Sequence, residues 1–182
     1  IAGQAFNPSI RPSIPQGSIE THPAGVSLAM DTDEGQLSGY QVIIRRSLEF
    51  FESQPDDVTT NIQGRKKGVR LGQVGIRCRY CSDIPIRLRG RGAIYYPKKL
   101  SSVYQAAQNM AVTHFLDACM SIPENLRAEL DLERQRRDSA RAGKAYWVQA
   151  CRRLGLMEDE YGLWFSATRV RPASAEGERK SI

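Results

Sequence analysis

Val74-Gly75-Ile76-Arg77-Cys78-Arg79-Tyr80-Cys81 is the stretch on which the reading of the fold turns. Val74, Ile76 and Cys78 alternate with polar or basic neighbours, which predicts a strand over Leu71 to Arg79 with one apolar face. The same residues end in a C-x2-C knuckle. Downstream, His114-Phe115-Leu116-Asp117-Ala118-Cys119 supplies an H-x4-C doublet. Thiolate and imidazole are the ligands that tetrahedral zinc takes, and two such doublets complete a four-ligand set. The span between them, residues 82–113, is long for a small finger. It reads as a loop rich in Arg and Gly (82–92), a short strand Ala93-Ile94-Tyr95-Tyr96 ended by Pro97, and most of a helix.

Ser102 followed by Gln105 predicts a capping-box start for that helix. Val103, Ala107, Met110 and His114 then recur at steps of four, three and four. This stripe turns His114 inward, toward the two strands. The sequence thus predicts an α+β, mainly helical fold: a zinc-clamped ββα module, with hairpin 71–96 and helix 102–117, flanked by further helices. Cys78, Cys81, His114 and Cys119 are the expected zinc ligands. A full Cys3His set leaves no open coordination position, so the zinc is expected to be structural. Cys151 falls at helical spacing from Trp147 and Leu154 and reads as a small core residue.

Working outward, Ser38 caps a predicted helix with the stripe Tyr40, Ile44, Leu48 and Phe51. A second short helix opens at Asp56 or Asp57 and stops at Gly64. Pro123 suits the first turn of a helix running to about Arg137, with Leu126 and Leu130 inward and Glu133 set against Arg137. A last helix carries Trp147, Cys151 and Leu154, and Gly155 ends it. Glu158 to Gly162 reads as a turn before the apolar Leu163-Trp164-Phe165. Residues 1–37, with Pro8, Pro12, Pro15 and Pro23, read as a flexible arm in which His22 is solvated. The expected domain is 38–167, and 168–182 is an expected tail. Ile1 in place of an initiator Met is expected of a fragment or processed product.

The formal charge of +6 suits an acidic partner. Arg65, Lys66, Lys67, Arg70, Arg77, Arg79, Arg87, Arg89, Arg91, Lys98 and Lys99 could form one basic face around the knuckle. Tyr80, Tyr95 and Tyr96 are interleaved and available to stack on bases. Arg134, Arg136, Arg137, Arg141 and Lys144 read as a solvated helix end. No apolar run reaches the roughly 18–20 residues that cross a bilayer, and no basic-then-apolar leader opens the chain. Thiols in such a chain favour an intracellular, reducing compartment, with the nucleus favoured and an organelle open. No nucleophile elbow, Walker loop or dinucleotide fingerprint occurs, and the folded part has no histidine beyond His114, so catalysis is not expected.

The strings Val74 to Cys81, Gly92-Ala93-Ile94-Tyr95-Tyr96-Pro97, Tyr104-Gln105-Ala106-Ala107-Gln108-Asn109-Met110 and Tyr146-Trp147 to Leu154-Gly155-Leu156 resemble a C-x2-C…H-x4-C domain of diatom-type microalgal proteins. The resemblance covers about 40–165 and implies zinc binding through the same four residues, with no particular activity. The site is loosely similar to C2HC, BED and BIR fingers, of which one type binds DNA and another protein. The expected function is therefore a non-enzymatic zinc module that binds DNA or RNA through its basic face. The alternative is a zinc-structured protein-interaction or assembly subunit whose arm, 1–37, lies across a partner. A metal-dependent enzyme is a distant third, and no small-molecule substrate is evident.

Overall fold

The computed structural model describes residues 25–60, 68–136 and 142–168. In chain order the elements are β1 (Val26–Ser27), α1 (Asp33–Gln36), α2 (Gly39–Arg46), β2 (Leu48–Glu52), α3 (Pro55–Thr59), β3 (Val74–Cys78), β4 (Ile94–Tyr95), α4 (Val103–Met110), α5 (Glu124–Arg136), α6 (Lys144–Arg153), β5 (Leu156–Glu158) and β6 (Leu163–Phe165). The six strands found among the described residues form one curled antiparallel sheet of order β1-β2-β3-β6-β5, with β4 paired to β3 off that path.

This corrects the expected fold class. A ββα module flanked by helices is not the organising unit; a half-barrel sheet is. The physical reason lies in residues 47–52. The predicted stripe Tyr40, Ile44, Leu48, Phe51 crosses a real boundary: α2 ends at Arg46, and Leu-Glu-Phe-Phe-Glu becomes β2. Aromatic residues favour a pleated surface, and pairing Leu48↔Cys78 through Glu52↔Val74 satisfies backbone groups of both strands. Central β3 is buried along its whole length. Its far edge is shared, the start by β6 (Val74↔Leu163) and the end by β4 (Ile76↔Tyr95, Arg77↔Ile94). Gly75 is where two rings and the neighbouring strand crowd in: a Cβ there would lie 2.9 Å from both Phe51 and Tyr96 and 3.0 Å from the Tyr95 carbonyl oxygen.

The helices pack on this sheet through one core that includes Ile44, Leu48, Ile76, Val103, Met110, Phe115, Leu130, Trp147 and Leu163. Ser38 accepts from the Gln41 amide at 3.4 Å, as its capping role predicts. The Ser102–Gln105 capping box does not form. A 3-10 turn over Leu100–Ser102 leads into α4 instead, and the Glu158 carboxylate accepts the Leu100 amide at 2.5 Å. Leu130 is the buried anchor of α5; Glu133 pairs with Arg136, and Arg137 lies outside the described residues. Gly155 takes φ +81 after α6, the left-handed value that glycine tolerates at a helix end.

The described fold also takes in residues 25–37, which the expected arm included. Leu28 and Leu37 are buried. Asp33 and Arg45 form a fully buried ion pair at 2.7 Å, their side chains 3% and 1% exposed. The Arg45 guanidinium also donates to the Leu28 carbonyl and sits 4.8 Å from the Trp147 ring. Tyr146 donates to the second Asp33 oxygen at 2.7 Å. One charge pair thus fastens α1 to α2 and α6. His22 and residues 1–24 lie outside the described residues, as does the predicted tail after Thr168.

Candidate metal centre

The four predicted ligands converge, each delivered by a different local device. Cys78 ends β3 and is held on both sides, paired with Leu48 in β2 and donating its amide to the Ala93 carbonyl at 3.0 Å. Cys81 closes a 3-10 turn over Arg79–Cys81. The Arg79 amide donates to the Ser47 carbonyl at 3.1 Å, which fixes where that turn begins.

His114 and Cys119 need more. Five residues apart on an α-helix, at about 100° per residue, they would point about 140° apart and could not share an ion. The chain solves this by widening into a π-helical turn over Ala111–Phe115, where the Leu116 amide reaches back to the Ala111 carbonyl at 3.2 Å. The His114 carbonyl then accepts both the Ala118 amide (2.9 Å) and the Cys119 amide (2.7 Å), curling Cys119 back under the ring.

All four side chains are buried, and their ligand atoms lie within 4.8 Å of one another. Cys81 Sγ is 3.6 Å from Cys119 Sγ and 3.5 Å from His114 Nε2; Cys78 Sγ is 3.9 Å from Cys119 Sγ. The cysteines are free thiols. The remaining imidazole nitrogen, Nδ1, lies 3.1 Å from the Arg91 carbonyl. A proton held there leaves Nε2 as the free donor facing the sulfurs, the arrangement that metal-binding histidines use. This cluster can hold a metal ion.

The groups of the set also shift one another's protonation. The neighbouring sulfur of Cys119 holds Cys78 well above the usual thiol range, while hydrogen bonds from Cys78 and Cys81 hold Cys119 well below it. Burial works against a charged His114, but the sulfurs of Cys119 and Cys81 prevail and push it up to about 9. Cys78 and His114 thus hold their protons more tightly than usual and Cys119 less tightly, and an ion bound among them has to displace protons. Cys151 is buried elsewhere, and burial raises its thiol to about 11.

Close backbone approach matters at two glycines beside the doublets. A Cβ on Gly90 would lie 2.2 Å from the Ala118 carbonyl oxygen. Gly92 takes φ +73, and a Cβ there would lie 2.5 Å from Thr113 Oγ1. The G-R-G string, too short to count as a motif, is what lets the knuckle loop lie on the turn carrying His114 and Cys119.

The eleven basic residues do not form one available face. Arg77 is buried, paired with Glu49 at 2.5 Å and stacked 4.8 Å over the Phe51 ring. It was expected on the wet face of its strand; a central strand in a curled sheet has no wet face. Arg89 is half-buried and donates to the Ile84 and Ser82 carbonyls. Arg91 is exposed but paired with Asp117 at 3.0 Å. Arg70 stacks 3.4 Å over the exposed Tyr161 ring. Arg79, Arg87, Lys98 and Lys99 are exposed, and none is ion-paired among the described residues. Arg65, Lys66 and Lys67 lie outside the described residues. Tyr80 and Tyr95 pack partly against the core, and Tyr96 meets Phe51 edge-on at 5.6 Å. Arg127, which the sequence did not mark, donates to the Phe115, Leu116 and Cys119 carbonyls.

No family model, no curated protein and no solved structure matches this chain. No helix among the described residues is long and apolar enough to cross a membrane.

Proposed function

We propose that this chain is a non-enzymatic module, structured by zinc at Cys78, Cys81, His114 and Cys119, that binds nucleic acid. The observation that carries the zinc reading is the geometry of the ligand set. A tetrahedral ion with bonds of about 2.3 Å to sulfur and 2.0 Å to nitrogen has S···S edges near 3.8 Å and S···N edges near 3.5 Å. Three of the six spacings, 3.6, 3.9 and 3.5 Å, lie close to those edges, and all six are within 4.8 Å. Three sulfurs and an imidazole are the donors of closed structural sites, and four protein ligands leave no position for a substrate. The ion would tie the end of β3 and the knuckle after it to the turn that follows α4.

The nucleic-acid part rests on the charge of +6 and on four exposed cations, Arg79 and Arg87 in and after the knuckle and Lys98 and Lys99 beyond β4. Cations of this kind neutralise phosphates and release counterions with little base preference. Reduced thiolates at the centre suit a reducing compartment, which in this reading is the nucleus. Salt-titrated binding of mixed-sequence DNA and RNA to zinc-loaded protein tests it. Four phosphate contacts on duplex DNA give a loss of about 100-fold in affinity between 50 and 200 mM salt. Replacing the four cations with Ala should flatten that dependence without releasing zinc. Absence of binding at low salt sinks the nucleic-acid reading and shifts the weight to a protein partner.

A further inference from the structure

We propose that Arg89 and Arg127 are positioning residues of the metal centre, one guanidinium tying down each ligand doublet. The inference rests on the metal reading above. Arg89 follows the knuckle and turns back on it, with Nε donating to the Ile84 carbonyl at 2.7 Å and Nη2 to the Ser82 carbonyl at 2.9 Å. Those carbonyls belong to the first and third residues after Cys81, so they set the path by which the chain leaves the ligand. Arg127, in the first turns of α5, donates Nη1 to the Phe115 carbonyl at 2.9 Å and the Leu116 carbonyl at 3.2 Å. Its Nη2 donates to the Cys119 carbonyl. These three acceptors bracket the turn between His114 and Cys119.

Both segments have the same problem. Where a helical turn stops, carbonyl oxygens are left without amide partners, and a turn left loose there lets its ligand swing away from the ion. A planar fork with five donors reaches several carbonyls in one fixed geometry, which a lysine cannot do. Both arginines are half-buried, so these bonds are only partly exposed to competing water. Charge supplies the second reason. A zinc ion with three thiolates and a neutral imidazole carries one net negative charge, and a buried charge needs compensation. The same guanidiniums that fix the backbone bring positive charge to either side of the cluster. Arg89 therefore belongs to the metal centre and not to a nucleic-acid face.

Cobalt(II) is the probe, read by its thiolate charge-transfer and d–d bands and by its rate of loss to excess chelator. Arg89→Ala and Arg127→Ala should each weaken cobalt binding by about 10- to 100-fold, the range seen when partners of metal ligands are removed. Arg89→Lys and Arg127→Lys should recover part of this, keeping the charge but not the multiple bonds. Leu130→Val trims a fully buried side chain on the same helix as Arg127. It should lower the melting temperature and leave the release rate and the spectrum unchanged. Wild-type release and spectrum in the alanine variants would overturn the inference, as would equal acceleration by Leu130→Val. If the alanine variants do not fold, wild-type release in both lysine variants overturns it. Wild-type protein that takes up no cobalt is a different result, and it removes the metal reading itself.

Discussion

Asp33→Asn is the substitution that most directly probes how this fold is held together. The change is isosteric, and the neighbours let it isolate charge. One Asp33 oxygen accepts from Arg45 Nε at 2.7 Å and from the Met30 amide at 2.9 Å, and an amide oxygen can take both. The other oxygen accepts from Tyr146. An NH2 group placed there can donate to the tyrosine oxygen, whose hydroxyl can turn to Thr32 Oγ1 at 2.8 Å. The hydrogen bonds survive, and what is lost is the negative charge opposite an arginine that is 1% exposed. Leaving a buried charge uncompensated costs about 3–5 kcal/mol. That is a large part of the roughly 5–15 kcal/mol by which domains are stable. For a chain of this size it corresponds to a fall in melting temperature of about 6–20 °C. The assay is urea unfolding at saturating zinc, followed by tryptophan fluorescence, because Trp147 lies against the Arg45 guanidinium. Adding Arg45→Met to Asp33→Asn removes the orphaned cation and should restore part of the loss. A single-variant loss under about 1 kcal/mol, far short of the cost cited above, would refute the reasoning, because it would mean that water reaches the pair and that residues 25–37 are not part of the folding unit.

Cobalt binding should tighten as pH rises from 6.5 toward 9. His114 without metal holds its proton up to about 9, the ion must displace that proton from Nε2, and so the free protein binds more protons than the loaded one. Competition titrations at the two ends of that window check it, and a flat profile contradicts the assignment of Nε2 as a ligand. Cys151→Ser buries a hydroxyl among apolar neighbours and should cost about 1–3 kcal/mol. Metal content should stay at the wild-type value, whereas Cys81→Ser should lower it. Gly90→Ala drives a methyl group into the Ala118 carbonyl, so the loop must lift off the His114–Cys119 turn. Destabilisation of more than about 1 kcal/mol with faster metal loss is expected, and urea unfolding with chelator kinetics measures both.

Local signals carried the ligand set and most helices. Two short-spaced doublets and an inward stripe ending at His114 are patterns of one segment each, and their convergence follows from strand and helix periods. The capping role of Ser38, the buried stripe of α4 and the glycine after α6 are likewise local. The sheet was legible only in pieces. Leu48 and Phe51 continue the helical period of Tyr40 and Ile44, so the sequence alone favours a longer helix. Pairing with Val74–Cys78, far away along the chain, is what makes those residues a strand.

The sequence by itself determined the chemistry of the centre, because the choice of Cys and His and their short spacings need no partner from elsewhere in the chain. Tertiary structure decided what surrounds it. Arg77 and Arg89 look alike in sequence to Arg79 and Arg87, yet one is buried against Glu49 and another is bonded to the knuckle's carbonyls. A cation's role depends on whether water or protein meets its guanidinium, and that is set by which strands cover it. The same holds for Asp33, an ordinary acidic residue in a polar segment until Arg45, Leu28 and Tyr146 close over it.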